Sequence, residues 1–190
     1  MLRAVVGLGN PGPEYALTRH NLGFWVVDRL RMEGNWERYL FPWGEVFRFG
    51  DRLLLKPLTY MNRSGEAVRE LLAWSPLSPE DLLLVHDDVD LPVGAVRLRE
   101  GGGDGGHLGV RSVLRALGTQ DIPRLKLGIG PKPDGVDLAA FVLSHPPEEE
   151  RERLLKAVAF AAEVAGSFLE GGYAAAQRAH SRGIAAGKGV

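Results

Sequence analysis

The first thirty residues alternate between apolar and polar stretches in an order that predicts a strand, a loop and a helix. Residues 4–8 form an apolar run with the length and β-branched content of a buried strand. Residues 9–13 contain two glycines and two prolines, which end that strand. Apolar residues then recur at helical spacing from about residue 20 to about residue 32. Asn10 is therefore predicted at the end of a strand, and His20 at the start of the next helix.

The rest of the chain continues to alternate between strand patterns and helix patterns. Strand patterns occur at residues 45–49, 52–56, 82–85, 95–98 and 124–129, and the first two form a predicted hairpin. Helix patterns occur at residues 66–74, 108–117, 148–169 and about 173–180. Irregular structure is expected at residues 36–43, a short element at 136–144, and a frayed tail at 183–190.

Strands that alternate with helices, together with one hairpin, are typical of an α/β fold. We expect a three-layer α/β/α sandwich on a mixed, twisted β-sheet. A length of 190 residues suits a single domain spanning residues 1–190, with a flexible C-terminal tail. Ligands of open α/β sheets bind beyond the carboxyl ends of the strands. The loops that follow the predicted strands are therefore the first places to search for function.

Composition excludes several classes of protein. The chain has no cysteine, which excludes disulfides and thiol chemistry, and its histidines show no i,i+4 pair, so we expect no metal site. No apolar run approaches the roughly 18 residues needed to cross a membrane. Met1 leads almost directly into the first strand, so no signal peptide is expected. These features indicate a cytoplasmic protein that does not bind membranes.

Polar side chains with useful chemistry follow three of the predicted strands. Asn10 follows the first strand, Asn62 follows the hairpin, and Asp87 follows the strand at residues 82–85. His20 joins them from the helix after the first loop. A histidine beside a carboxylate can take a proton from water, and nearby amides can orient a substrate. The chain has no G-x-S-x-G motif, so activated water is the expected nucleophile.

Each of these residues also has a purely structural interpretation. His20 can be a helix cap or a surface residue, and Asn62 can cap the helix that follows it. Asp87 is one of three neighbouring acids that can be solvated loop charges. Pattern alone leaves both interpretations open.

Charge is distributed unevenly along the chain. Residues 95–133 contain seven basic and three acidic residues, a net charge of +4, whereas the whole chain carries −1. The glycines at 101–106 precede a predicted helix, whose N-terminus can bind an anion. Clustered arginine in this setting favours phosphate, as in RNA. The alternative is a solvated basic helix face, which Arg111 and Arg115 at i,i+4 fit well.

Residues 7–12 also match the dinucleotide-binding pattern G-x-G-x-x-G. In that motif the last glycine lies in the first turn of a helix. Here Pro13 follows, and helical periodicity begins only near His20. No second strand ends in an acidic residue at the required distance. The glycines and prolines are therefore expected to shape a loop that presents Asn10.

Several long motifs, in order along nearly the whole chain, resemble the bacterial peptidyl-tRNA hydrolase family. The motifs are VVGLGNPG at residues 5–12, TRHN at 18–21, YMNRSG at 60–65, HDDVDLP at 86–92 and GGGDGGH at 101–107. This resemblance implies an enzyme that cleaves the ester joining a peptide to the terminal ribose of tRNA and so recycles prematurely released peptidyl-tRNA. It further implies a cytosolic α/β protein, usually monomeric, that needs no metal or organic cofactor.

The resemblance also assigns roles to residues. His20 is implied as the base, Asp87 as its carboxylate partner, and Asn10 as the residue that distinguishes N-acylated from free aminoacyl-tRNA. The implied contacts to the substrate and the tRNA 5′-phosphate are Tyr15, Tyr60 (often Phe in the family), Met61, Asn62, His107, and the basic pair Arg99 and Lys126. Residues 136–147 and the last helix are implied as a movable wall of the peptide channel.

One position departs from the family pattern, and two other functions remain as alternatives. Leu108 stands where the family commonly has Asn, and because leucine cannot hydrogen-bond, we expect weaker binding of the peptide-bearing end. The first alternative function is a non-catalytic tRNA-binding module of the same fold. The second is a nucleotide-dependent oxidoreductase.

Overall fold

A computed structural model describes residues 1–190 and contains one mixed seven-stranded sheet in the order β2-β3-β4-β1-β5-β7-β6. The strands are β1 Arg3–Gly7, β2 Glu37–Phe41, β3 Gly44–Phe49, β4 Arg52–Pro57, β5 Leu82–Pro92, β6 Val96–Arg99 and β7 Arg124–Gly130. β1 lies parallel between β4 and β5, and β5 is also parallel to β7. β3 is antiparallel to both β2 and β4, and the edge strand β6 is antiparallel to β7.

Helices cover both faces of this sheet, because successive side chains of the central strands point to opposite faces and are buried on both. The helices are α1 Leu22–Met32, α2 Ser64–Trp74, α3 Leu108–Leu117, α4 Leu138–Val142 and α5 Glu148–Ala185. Val5 packs in one core with α1 and α5, whereas its neighbour Val6 packs in the other core with α2 and α3. The expected three-layer α/β/α sandwich on a mixed sheet is confirmed. No helix combines the length and hydrophobicity needed to span a bilayer.

Two strands differ from the sequence-based expectation. Residues 36–43 were expected to be irregular, but they contain β2, which pairs with β3 at the edge of the sheet. An edge strand with no fully buried face lacks the alternation by which strands are recognised. The strand expected to end at residue 85 continues to Pro92, because β7 pairs with it as far as the Pro92–Gly130 position.

The C-terminal region is more regular than expected. The two predicted helices form one element, α5, interrupted at Gly172, where φ is +77°. The tail was expected to be frayed from residue 183, but α5 continues to Ala185 because Gly183 is buried against Phe160. Lys188 then forms an ion pair of 3.1 Å with Glu163.

The start of α1 packs unusually closely on the sheet. α1 begins at Leu22, and a short 3₁₀ turn, Arg19–Asn21, precedes it and carries His20. A side chain at Gly23 would collide with the backbone of Leu8 and with the Val85 carbonyl. Because Gly23 has no side chain, α1 packs closely on the sheet, and the His20 turn that precedes α1 lies against β5.

Candidate active site

A cavity of about 550 Å³ opens beside the end of β1. Its lining includes the candidate residues Asn10, His20, Asp87, His107, Asn62 and Lys126. This volume is in the range of small-molecule binding sites. The loop after β1, the 3₁₀ turn before α1, β5 and the N-terminus of α3 all contribute to it. The sheet therefore brings together residues that are far apart in sequence.

His20 and Asp87 form the predicted pair. His20 Nδ1 lies 3.0 Å and 2.9 Å from the two carboxylate oxygens of Asp87. A nitrogen within hydrogen-bond distance of both oxygens of a carboxylate must carry the proton and donate it. This places the lone pair on Nε2, on the opposite side of the ring. His20 is thus arranged as a proton acceptor.

His107 binds the same carboxylate. The residue caps α3, and its Nδ1 accepts hydrogen bonds from the backbone N–H groups of Gly109 and Val110 at 3.1 and 3.2 Å. The proton of the neutral ring is therefore on Nε2, which donates to Asp87 Oδ1 at 3.0 Å. From the sequence, His107 was predicted only as a substrate contact. Its position just before a predicted helix was the available signal for capping, but nothing in the sequence indicated the bond to Asp87.

Asp87 is buried between these two donors. Burial alone would raise the pKa of its carboxyl, but His20 and His107 oppose burial and hold the pKa well below its usual range. Asp87 therefore stays ionised at neutral pH. A fixed negative charge at Asp87 stabilises any positive charge that develops on the His20 ring.

A third histidine lines the cavity but does not titrate near neutral pH. His86 Nδ1 donates to the Asp87 carbonyl at 2.8 Å, and its ring contacts that of His107 with centroids 4.8 Å apart. Burial lowers the pKa of His86 to about 3. No role was predicted for His86 from the sequence. Because it stays neutral, it adds no charge that competes with the His20–Asp87 pair.

Asn10 is fixed in a single orientation. Its backbone N–H and C=O pair with the side chain of Asn21, each at 2.9 Å. Its Oδ1 accepts from the Met61 backbone N–H at 2.7 Å. Oδ1 is therefore occupied, and Nδ2 is left as a donor facing the cavity. Asn10 was predicted from the sequence but Asn21 was not, because the loop separates the two residues along the chain.

The remaining predicted substrate residues lie on or beside the cavity. Met61 and Asn62 line it, whereas Tyr15 and Tyr60 lie outside and contact each other edge to face with ring centroids 6.5 Å apart. Tyr60 has a φ of +66°, a strained value for a non-glycine residue. This conformation precedes the turn that directs the Met61 N–H toward Asn10.

The two predicted basic residues lie on adjacent strands, β6 and β7. Lys126 lines the cavity and lies 3.9 Å from Asp88, whereas Arg99 is exposed and pairs through its backbone with Arg124. Arg124 itself is buried, and its guanidinium donates to the carbonyls of Gly102 and Gly103. In the basic segment, Lys126 and Arg99 are therefore available to a ligand, whereas Arg124 supports the glycine loop at residues 101–106.

Two other chemistries fit the site less well. His20, Asp87 and His107 lie within 4.8 Å of one another, close enough for a metal ion, but the nitrogens facing Asp87 are the ones that donate to it. A metal would have to displace both protons. The residues that match the dinucleotide pattern end at Gly12, ten residues before α1 begins. No helix N-terminus is therefore in place behind them to bind a pyrophosphate.

Several known proteins are similar to this chain over most of its length. The family model for peptidyl-tRNA hydrolase matches residues 4–186. A peptidyl-tRNA hydrolase from Thermotoga petrophila is 51% identical over 149 residues, which cover 77% of this chain and 79% of the relative. Another, from Neisseria meningitidis serogroup C, is 42% identical over 183 residues, covering 93% and 95%. The crystal structure of peptidyl-tRNA hydrolase from Acinetobacter baumannii superposes with a TM-score of 0.87 at 35% identity, covering 94% of this chain and 93% of that one. Because the match extends over most of both chains in each comparison, this chain belongs to the peptidyl-tRNA hydrolase family.

Proposed function

We propose that this chain hydrolyses the ester between a peptide and the terminal ribose of tRNA, using water activated by His20. The relatives and the solved structure are named for this reaction. The observation that carries the proposal is the chain of hydrogen bonds from His107 through Asp87 to His20, which leaves His20 Nε2 unprotonated at the cavity. Every group used in this mechanism comes from one chain, so the proposed reaction requires no second subunit.

The reaction needs one base and no covalent intermediate. His20 Nε2 takes a proton from water while the water oxygen attacks the ester carbonyl. The ionised Asp87 stabilises the imidazolium that forms. When the tetrahedral intermediate collapses, the same proton passes to the leaving ribose oxygen. The products are tRNA with its terminal hydroxyl restored and the free peptide acid, which releases its proton to solvent and leaves as the carboxylate.

Asn10 supports discrimination between N-blocked and free aminoacyl-tRNA. Because Oδ1 accepts from the Met61 N–H, the Asn10 amide is oriented with its donor, Nδ2, toward the cavity. The acyl carbonyl of a peptidyl group can accept this bond. A free α-ammonium has only donors and cannot accept this bond. Selectivity at Asn10 therefore follows from the direction of one hydrogen bond.

Lys126 and Arg99 support binding of the tRNA itself. Both lie on neighbouring strands at one edge of the sheet, and neither has an ion pair shorter than 3.9 Å. We propose that they contact the 5′-phosphate, which lies next to the acceptor end of tRNA.

The test compares N-acetyl-aminoacyl-tRNA with its unblocked counterpart, using the wild type and His20→Ala. A positioned base contributes about 10²–10⁴-fold, so His20→Ala should lower kcat by that factor with little change in tRNA affinity. His180→Ala is the control, because His180 lies outside the cavity and bonds the Val96 carbonyl. Salt-sensitive tRNA binding without hydrolysis would instead indicate a non-catalytic tRNA-binding module.

A further inference from the structure

Three large apolar side chains are exposed around one cavity. Leu108, Leu138 and Leu143 are 51%, 42% and 41% exposed, and all three line the cavity that contains His20. A single exposed leucine is ordinary on a protein surface, but apolar side chains gathered at one cavity mark a binding surface. The mechanism described above uses none of them.

Two separate elements bring these leucines to the base. Leu108 is the first residue of α3 and directly follows His107, which bonds Asp87. Leu138 is the first residue of α4, and Leu143 follows its last residue. α4 is held beside the His20 turn by Arg19, whose guanidinium lies 4.3 Å from the centre of the Phe141 ring. The part of the apolar surface on α4 is therefore held in place relative to the turn that carries His20.

The chemistry of the substrate indicates which part of it meets this surface. Ribose and phosphate are polar and gain little from leucine, whereas charged residues such as Lys126 and Asp88 line other parts of the cavity. The ester carbonyl must come within reach of His20 Nε2. The α-carbon and side chain next to that carbonyl must then also lie inside the cavity.

We propose that Leu108, Leu138 and Leu143 form a subsite for the side chain of the amino acid esterified to tRNA, and that this subsite favours large apolar side chains. The proposal rests on the hydrolase function proposed above. It gives Leu108 a selective role, instead of the general weakening of binding that its sequence alone suggests. A leucine-like side chain on the esterified amino acid gains apolar contact with the subsite. A polar side chain loses its hydrogen bonds to water there and gains none from the three leucines.

The experiment uses two esters on one RNA, so that only the side chain differs. N-acetyl-leucyl and N-acetyl-asparaginyl esters of the same acceptor-stem RNA have side chains of similar size and opposite polarity. Pockets for apolar side chains discriminate by about 10–200-fold, and we expect the wild type to favour the leucyl ester at least about tenfold in kcat/KM. Leu108→Asn should reduce that ratio to about threefold or less, whereas Leu108→Met should retain it.

Leu155→Asn is the matched control, because Leu155 is 47% exposed on α5 and lies outside the cavity. This variant should keep the wild-type ratio. Equal hydrolysis of the two esters by the wild type, or an unchanged ratio in Leu108→Asn, would overturn the subsite and leave the hydrolase function standing. Hydrolysis of neither ester would overturn the hydrolase function, and the subsite with it.

Discussion

At the scale of single residues, the central feature is a buried carboxylate with two histidine donors. His20 alone would leave one side of Asp87 without a donor inside the protein, where an unpaired charge is costly. His107 supplies the second bond, and the α3 backbone fixes which of its nitrogens carries the proton. The ionisation of Asp87 therefore depends on a residue that need not touch the ester.

His107→Asn separates this role from helix capping. Asparagine caps a helix well, but its side chain is too short to reach Asp87. Because the pKa of Asp87 in the fold lies below its unfolded value, its charge stabilises the fold above about pH 4, and this contribution is lost as the pH falls. The variant should be about 1–2 kcal/mol less stable than the wild type near pH 7, since each pKa unit is worth about 1.4 kcal/mol.

Urea unfolding at a series of pH values measures this difference. The gap between wild type and His107→Asn should narrow below about pH 4, where Asp87 in the unfolded chain is protonated. A gap that stays constant from neutral to acidic pH would mean that the Asp87 charge is not its source.

The sequence indicated some residues of the site and could not indicate others. Asn10 and His20 flank a strand–loop–helix pattern that is local and strongly marked, so their placement could be predicted. The bond between His107 and Asp87 spans 20 positions and depends on how β5 and α3 meet, which no local pattern records. Asn21 was missed for a similar reason, because its partnership with Asn10 requires the loop between them to fold back.

At the scale of elements, the 3₁₀ turn that carries His20 is joined to α4 through one buried side chain. Arg19 stacks on Phe141, bonds the Ser144 hydroxyl, and lies 3.3 Å from Glu150 at the start of α5. Its backbone N–H also donates to the Ser144 carbonyl at 3.1 Å. The segment expected to form a movable wall is therefore tied to the turn that carries His20.

Arg19→Gln should loosen α4 without removing any catalytic group. Loss of the stacking and of the buried ion pair should cost about 2–3 kcal/mol of stability and raise KM more than it lowers kcat. Arg153→Gln, an exposed position on α5 with the same change of charge, should leave both quantities unchanged. Steady-state kinetics and chemical unfolding of the two variants provide the measurement, and an unchanged KM in Arg19→Gln would show that α4 is positioned independently.

The elements also show where periodicity is informative. β1 was predicted from a short apolar run, the hairpin from two strand patterns around a turn, and α3 from helical spacing, and all lie close to their predicted bounds. β2 was missed, because an edge strand exposes side chains on both faces. The end of β5 was placed too early, because residues 86–90 are mostly polar and extended only through pairing with β7.

At the scale of the whole molecule, the basic segment is less available to RNA than its net charge suggests. Arg124 is used inside the protein, and Arg111 pairs with Asp104 at 3.1 Å. Arg99 and Lys126 remain on adjacent strands at the β6 edge of the sheet. The positive charge available to bind a phosphate therefore depends on a few exposed side chains and not on the net charge of residues 95–133.

Salt dependence measures these positions directly. Arg99→Ala and Lys126→Ala should each lower the slope of log Kd for tRNA against log salt concentration by about 1, because each contact to phosphate releases about one counterion. Arg48→Ala is the control, since Arg48 lies on β3 near the opposite edge of the sheet. With tRNA lacking its 5′-phosphate, the two variants should match the wild type; a persistent difference would place their contact elsewhere on the RNA.

The close packing of α1 on β1 limits how this protein can vary. Where Gly7 and Gly23 meet, the atoms nearest to an added side chain belong to the main chain, which cannot move aside as a flexible side chain can. An added methyl group must therefore be accommodated by a shift of the whole helix, and with it the turn that carries His20. A survey of inactivating substitutions should therefore include Gly7 and Gly23, although neither contacts substrate or base. Activity depends on the small size of these two residues as well as on the side chains that line the cavity.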